Sequence, residues 1–146
     1  EMRIFLDANI LVAVLNKEYP VFTFAARIMS LADKPGYKIY TSPVCLAIAF
    51  YFSEKKSGRK TAKEKIKTLV SHIGIVETGA DEVLQTIANK KITDFEYGLE
   101  FYAARASKCD VIITEDVTDY FFAEIDVQTS AGFFEKYLKP SSAAIR

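Results

Sequence analysis

The chain has 146 residues, of which 50% are hydrophobic and 26% charged, with 19 basic and 19 acidic side chains. This composition is typical of a globular protein and excludes a disordered chain. The zero net charge argues against binding to nucleic acid by bulk electrostatic attraction alone. No apolar run approaches the roughly 20 residues that cross a bilayer, so we expect no membrane contact.

Three further features bear on location and metal chemistry. Asp7 directly follows the short apolar run at residues 4–6, which is too early for the apolar segment of a secretory leader. Cys45 and Cys109 have neither metal-site nor disulfide spacing, which favours a reducing compartment, and we expect a cytoplasmic protein. The only histidine, His72, excludes a multi-histidine zinc site.

Short apolar runs alternate with longer stretches of helical periodicity. The runs predict strands at residues 3–6, 38–41, 73–76, 111–114 and 125–127. The periodic stretches predict helices at residues 21–32, 44–55, 61–70, 81–89, 93–107 and 129–138. Capping boxes predict the starts of two helices, with Thr61 and Glu64 in one and Thr93 and Glu96 in the other. The helix at 44–55 is apolar nearly all round, and we expect it in the core.

Strands separated by helices require parallel crossovers. The order therefore predicts an α/β fold with three layers, in which helices cover both faces of a central, mainly parallel sheet of about five strands. We expect one domain over residues 2–140 and a short tail over 141–146. Ligands of such sheets bind beyond the carboxyl ends of the strands.

Polar side chains cluster at those positions. They are Asp7 and Asn9 after the first strand, Ser42 after the second, Asp94 and Glu96 at the start of a helix, and Thr114, Asp116 and Asp119 after the fourth strand. Converging carboxylates repel one another unless a cation lies between them. Oxygen ligands without histidine favour Mg²⁺ or Mn²⁺, and a carboxylate-held Mg²⁺ suits phosphodiester hydrolysis.

A helix-capping interpretation of the same acids stays open. Asp7 is a good N-cap for a helix that starts near Ala8. Asp94 and Glu96 lie in a first helical turn, where the helix dipole favours carboxylates. Asp116 can cap a turn after the fourth strand.

Two segments carry a resemblance to a known family. The segment IFLDANIL at residues 4–11 resembles the opening of PIN domains. The segment DFE at residues 94–96, followed by CDVIITEDVTDY at residues 109–120, resembles their C-terminal half. The resemblance covers residues 2–138 and implies a small α/β/α domain that commonly dimerises.

The PIN site usually has four acids, and this sequence has an acid at two of the four matching positions. Asp7 matches the first and Asp116 the fourth. The second position falls on Ile48 and the third on Tyr97, so neither offers a carboxylate. Asp94 lies three residues before Tyr97 on the same helix face and is the candidate replacement.

The resemblance thus implies a partly degenerate acidic site. Asp7, Asp94 and Asp116 are the expected catalytic and metal-binding residues, and a single Mg²⁺ or Mn²⁺ would be held weakly. The expected substrate-orienting residues are Asn9, Ser42, Thr114, Glu96 and Asp119.

The resemblance implies a metal-dependent endoribonuclease of the kind found in toxin–antitoxin pairs. Its expected partners are RNA, an antitoxin protein and a second copy of the chain. The alternative is a catalytically inactive PIN-like module that binds RNA or a protein. Residues 55–67 carry seven basic side chains and one acid, which suits either phosphate contacts or an ordinary solvated helix.

Overall fold

The computed structural model describes residues 1–139, in which a five-stranded parallel sheet has the order β3-β2-β1-β4-β5. The strands are β1 (Met2–Leu6), β2 (Tyr37–Thr41), β3 (Gly74–Ile75), β4 (Val111–Ile113) and β5 (Asp126–Gln128). Helices cover both faces, which confirms the predicted three-layer α/β/α fold. The tail predicted at 141–146 and residue 140 lie outside the described residues.

Seven α-helices connect and cover these strands within residues 1–139. They are α1 (Ala8–Asn16), α2 (Val21–Met29), α3 (Pro43–Ser57), α4 (Arg59–Val70), α5 (Ala80–Ala88), α6 (Phe95–Ala106) and α7 (Ser130–Phe133). Short 3₁₀ turns follow α2 and β4, and a π-helical turn, Phe134–Leu138, follows α7. None of the helices in this part of the chain is long and apolar enough to cross a bilayer.

The two central strands, β1 and β4, are apolar at every position except Arg3. Their fully buried side chains are Ile4, Phe5, Leu6, Val111, Ile112 and Ile113. A parallel sheet covered on both faces favours such continuous apolar runs over alternation. Leu6 pairs with Ile113, and the amide of Asp7 donates to the carbonyl of Ile113 at 3.0 Å. The residues that follow β1 and β4 therefore emerge side by side.

Three helices differ from their prediction. Helix α4 begins at Arg59, directly after Gly58, so the Thr61 capping box does not form. Helix α6 has Asp94 as its N-cap, with the side chain accepting from the amide of Glu96, so the Thr93 box was also wrong. Helix α3 is not fully in the core, because Tyr51 is 50% exposed and Phe52 46% exposed.

Gly98 sets how closely α5 approaches α6. A Cβ at this position would lie 2.4 Å from Cγ2 of Thr86 and 3.0 Å from Cδ1 of Ile92. Thr86 is 3% exposed, so its methyl group has little room to move. The close contact fixes the start of α6, which carries Glu96 and Tyr97.

We expect Gly98→Ala to lower the free energy of unfolding by about 1–3 kcal/mol despite the better helix propensity of alanine, because the added methyl overpacks the α5–α6 contact. Removing the obstructing methyl with Thr86→Ala should reduce that cost by about 1 kcal/mol. Urea denaturation of the two single variants and the double variant measures this coupling. Equal costs of Gly98→Ala in both backgrounds would contradict this account of the packing.

Candidate functional site

A hydrogen-bond network joins the ends of β1 and β4. The hydroxyl of Thr114 donates to Oδ2 of Asp7 at 2.8 Å and accepts from Nδ2 of Asn9 at 3.1 Å. The Asn9 amide also donates to Oδ2 of Asp116 at 3.2 Å and accepts from the backbone amide of Glu115 at 3.0 Å. Four of the residues predicted from the sequence thus meet where the strand order reverses, which is where sheets of this kind bind ligands.

An open cavity of about 350 Å³ lies beside this network. Ten residues line it: Asp7, Ala8, Asn9, Val12, Glu18, Ile48, Phe52, Glu96, Tyr97 and Asp116. Four of them are acids and none is basic, so acidic side chains are concentrated here with no basic side chain among them. Glu18, which lies in the turn after α1, had no signal in the sequence that would have assigned it to the site.

The neighbouring carboxylates act on Glu96. Partial burial raises the pKa of its carboxyl, and the charges of Asp7, Asp94 and Asp116 raise it further. Repulsion of this kind indicates carboxylates that converge on one space, and it disfavours the ionised form unless a cation is present. Glu96 therefore belongs to the same acidic group as Asp7 and Asp116.

Asp7 is the deepest of the four acids, with only 2% of its surface exposed. Burial raises its pKa, which hydrogen bonds from Thr114 and from the amide of Ala8 partly offset. The bond from Ala8 is an N-cap of α1 at 2.8 Å, so the capping interpretation holds for Asp7. It does not compete with the site interpretation, because Oδ2 faces Thr114 while Oδ1 caps the helix.

Ile48 and Tyr97, the two positions where the resemblance led us to expect the second and third acids, both line the cavity. Ile48 presents an apolar side chain there, and Tyr97 donates from its hydroxyl to Oδ2 of Asp116 at 2.9 Å. Burial, together with that hydrogen bond and the charge of Asp116, raises the pKa of Tyr97, so its hydroxyl stays protonated. Tyr97 therefore occupies one oxygen of Asp116 with a neutral donor.

Three predicted residues lie elsewhere. Asp94 caps α6 through the amide of Glu96 and does not line the cavity. Asp119 is exposed in the 3₁₀ turn Val117–Tyr120 and does not line it either. Ser42 caps α3 and donates to Oε1 and Oε2 of Glu100 at 2.9 and 2.8 Å. The metal-ligand role expected for Asp94 and the substrate-orienting roles expected for Ser42 and Asp119 stay predictions.

Glu100 was missed by the sequence analysis. It is fully buried on α6, accepts from Ser42 and contacts the thiol of Cys45. Burial raises its pKa and hydrogen bonds with Cys45 and Ser42 partly offset that rise, which leaves the pKa at about 7. Its position four residues after Glu96 places both on one helix face, and that spacing was a usable signal.

The comparison with protein families matches the PIN domain over residues 3–118. The chain belongs to the PIN-domain family. No curated protein matches it significantly. The resemblance seen in the sequence is thereby confirmed, and the acids Asp7 and Asp116 fall within the matched residues.

Solved PIN-domain structures have the same fold. VapBC2 from Rickettsia felis, solved with a DNA fragment from its promoter, gives a TM-score of 0.67 at 18% identity, with 88% of this chain and 98% of that chain covered. VapBC-1 from Haemophilus influenzae gives 0.66 at 16% identity, with coverages of 89% and 99%. VapC20 from Mycobacterium tuberculosis, a toxin that cleaves the sarcin-ricin loop, gives 0.59 at 18% identity, with coverages of 75% and 86%.

We expect the buried Glu100 to make stability depend on pH. Its pKa is about 7 in the folded chain against 4.5 for an ordinary Glu, so the unfolded chain ionises first as pH rises. As the pH rises from 4.5 to 7, the free energy of unfolding of the wild type should therefore fall relative to that of Glu100→Gln, by at most about 3 kcal/mol. Urea denaturation in the presence of a chelator measures the difference, and parallel curves would contradict it.

Proposed function

We propose that the protein is a metal-dependent endoribonuclease with a one-cation site formed by Asp7, Glu96 and Asp116. The observation that carries the proposal is the cavity itself, which four carboxylates and no basic side chain line. A hard divalent cation such as Mg²⁺ or Mn²⁺ binds oxygen ligands of this kind and relieves the repulsion that acts on Glu96. Family membership supports the same assignment.

The side chains around the cation have separate roles in this proposal. Asp7 and Asp116 are direct ligands, held at their orientations by Thr114 and Asn9. Glu96 takes the place that we had expected for Asp94, because Glu96 lines the cavity and Asp94 caps the helix. When bound, the cation would activate a water and stabilise negative charge on the scissile phosphate.

The substrate that we propose is RNA, which would approach along α3. Phe52 lines the cavity and is 46% exposed, so its ring is available for stacking on a base. Tyr51 contacts Phe52 edge to face at 5.2 Å between ring centroids, and the ammonium of Lys55 lies 4.5 Å from the centroid of Tyr51. Exposed basic residues continue from there onto α4 and suit phosphate contacts.

A second candidate function is an inactive PIN module that binds RNA or a protein. The hydrogen bond from Tyr97 to Asp116 favours it, because this bond occupies an oxygen that a cation would use. An antitoxin is the proposed protein partner, by analogy with the VapBC complexes. An apolar cavity of about 400 Å³, lined by residues that include Val14, Leu15, Met29 and Leu69, offers it a surface. We propose a homodimer as well.

Calorimetric titration with Mn²⁺ tests the first function, with cleavage of a single-stranded RNA as the second readout. We expect Asp116→Asn to weaken Mn²⁺ binding by at least about tenfold, equivalent to about 1.4 kcal/mol. Cleavage should fall by about 100-fold, the magnitude typical of losing an electrostatic stabiliser. Asp116 is exposed, so this substitution disturbs folding less than one at the buried Asp7 would.

Asp81→Asn is the matched control for that experiment. Asp81 is exposed on α5 and does not line the acidic cavity, so this variant removes the same charge elsewhere. It should bind Mn²⁺ and cleave RNA like the wild type. Cleavage that survives chelation, or that Asp116→Asn leaves unchanged, would refute the one-cation nuclease.

Tyr97 separates the two candidate functions. We expect Tyr97→Asp to strengthen Mn²⁺ binding by about tenfold, because it adds a carboxylate and removes a competing donor from Asp116. Tyr97→Phe isolates the second effect, since it deletes only the hydroxyl. If the wild type does not cleave RNA while Tyr97→Asp does, the inactive module is the correct description.

A further inference from the structure

The fourth carboxylate of the acidic cavity, that of Glu18, has no part in the proposed cation site. Burial and three neighbouring carboxylates raise the pKa of Glu96, but Glu18 is not one of the three. Glu18 follows α1, whose nine residues span about 13 Å, whereas Asp7 precedes that helix. Glu18 therefore lies at the end of the cavity away from the cation ligands.

The same end of the cavity holds the exposed ring of Phe52. Nδ2 of Asn16, the last residue of α1, donates to the carbonyl of Phe52 at 3.4 Å, which places Phe52 beside the end of α1 that precedes Glu18. Ile48 lies one turn before Phe52 on the same face of α3 and, with Val12 of α1, lines the cavity between its two ends. An aromatic ring and a carboxylate thus border one space, and apolar side chains separate it from the cation site.

The carboxylate of Glu18 is available to a ligand. Glu18 is exposed, and none of the salt bridges formed within residues 1–139 includes it. Its backbone is nonetheless fixed, because its amide donates to the carbonyl of Ala13 at 3.0 Å and its carbonyl accepts from the amide of Phe22 at 2.7 Å. A fixed backbone keeps the carboxylate at this end of the cavity, which lowers the entropic cost of binding.

An ionised carboxylate only accepts hydrogen bonds, and this property decides which base it can bind. Single-stranded RNA presents the Watson–Crick edges of its bases to protein side chains. On that edge guanine has two adjacent donors, at N1 and at the exocyclic amine, which the two oxygens of one carboxylate match. Each of the other three bases would place at least one acceptor against the carboxylate. Hydrogen bonds to a charged acceptor are also about twice as strong as neutral ones.

We propose that Glu18 and Phe52 form a pocket for a guanine base next to the scissile phosphate, in which Phe52 stacks on the base and Glu18 accepts from its two donors. The place of this pocket in the reaction rests on the proposed ribonuclease function, whereas binding of the base itself requires no cation. The ring contributes affinity for any base, because stacking tolerates every sequence. The choice of guanine therefore comes from Glu18.

Four short RNA oligomers test this pocket. Each is a fluorescein-labelled uridine oligomer whose central base is guanine, adenine, cytosine or uracil. Binding to the full chain is measured by fluorescence anisotropy, at low salt to strengthen phosphate contacts and with a chelator to prevent cleavage. We expect the guanine oligomer to bind at least about tenfold more tightly than the other three, because only guanine pairs with both carboxylate oxygens.

Glu18→Gln separates base recognition from charge repulsion. It should weaken binding of the guanine oligomer by about tenfold. The other three oligomers should bind as tightly as before or more tightly, because a neutral amide does not repel phosphate. Phe52→Ala should weaken binding of all four oligomers by about tenfold, since stacking is lost for every base.

Glu77→Gln is the matched control, because Glu77 is exposed and is not among the residues that line the acidic cavity. This variant should bind the four oligomers like the wild type, and thermal unfolding verifies that each variant folds.

Cleavage is measured separately in Mn²⁺, so that failure of the pocket and failure of the nuclease are distinguishable. If the wild type does not cleave RNA, the guanine preference in chelator should still be present. If it does cleave, its cuts should lie next to guanine, and Glu18→Gln should lose that preference. Equal binding of the four oligomers by the wild type, absence of binding, or tighter binding of all four by Glu18→Gln overturns the guanine pocket, whether or not Mn²⁺ gives cleavage.

Discussion

The hydroxyl of Thr114 is the contact on which the site depends. It donates to Asp7 and accepts from Asn9 and from the backbone amide of Asp116, so one oxygen fixes the residues that follow both central strands. The register of β1 with β4 brings that oxygen to Asp7 in the first place. A hydroxyl can do this because it both donates and accepts, whereas a third carboxylate here would add repulsion.

The acids around this contact divide into two environments. Glu96 and Asp116 line the open cavity, where water and small ions have access. Glu100 is sealed behind it against Cys45, where no solvent compensates its charge. Asp7 belongs to both environments, with Oδ2 bound to Thr114 and Oδ1 near the thiol.

The apolar strands and the acids that follow them were predictable from local pattern. Continuous apolar runs identified β1 and β4, and Asp7 and Asp116 followed from their positions after those strands. The identity of the acid on α6 was not predictable, because Thr93 and Asp94 are both good N-caps. In the structure Asp94 is the N-cap of α6, and Glu96 is the acid of this helix that lines the cavity. The spacing of Glu100 from Glu96 indicated a shared helix face, but the hydrogen bond of Glu100 with Ser42 is a long-range contact that no local pattern contains.

The strands at the two edges of the sheet are shorter than its central strand β1. β1 has five residues, while β3 and β5, at the two edges, have two and three. An edge strand exposes unpaired amides and carbonyls that recruit strands from other molecules, and very short edges are one of the ways in which proteins prevent this. With so few free backbone groups at either edge, the sheet is a poor template for edge-to-edge aggregation, although its central strands are apolar at every position except Arg3.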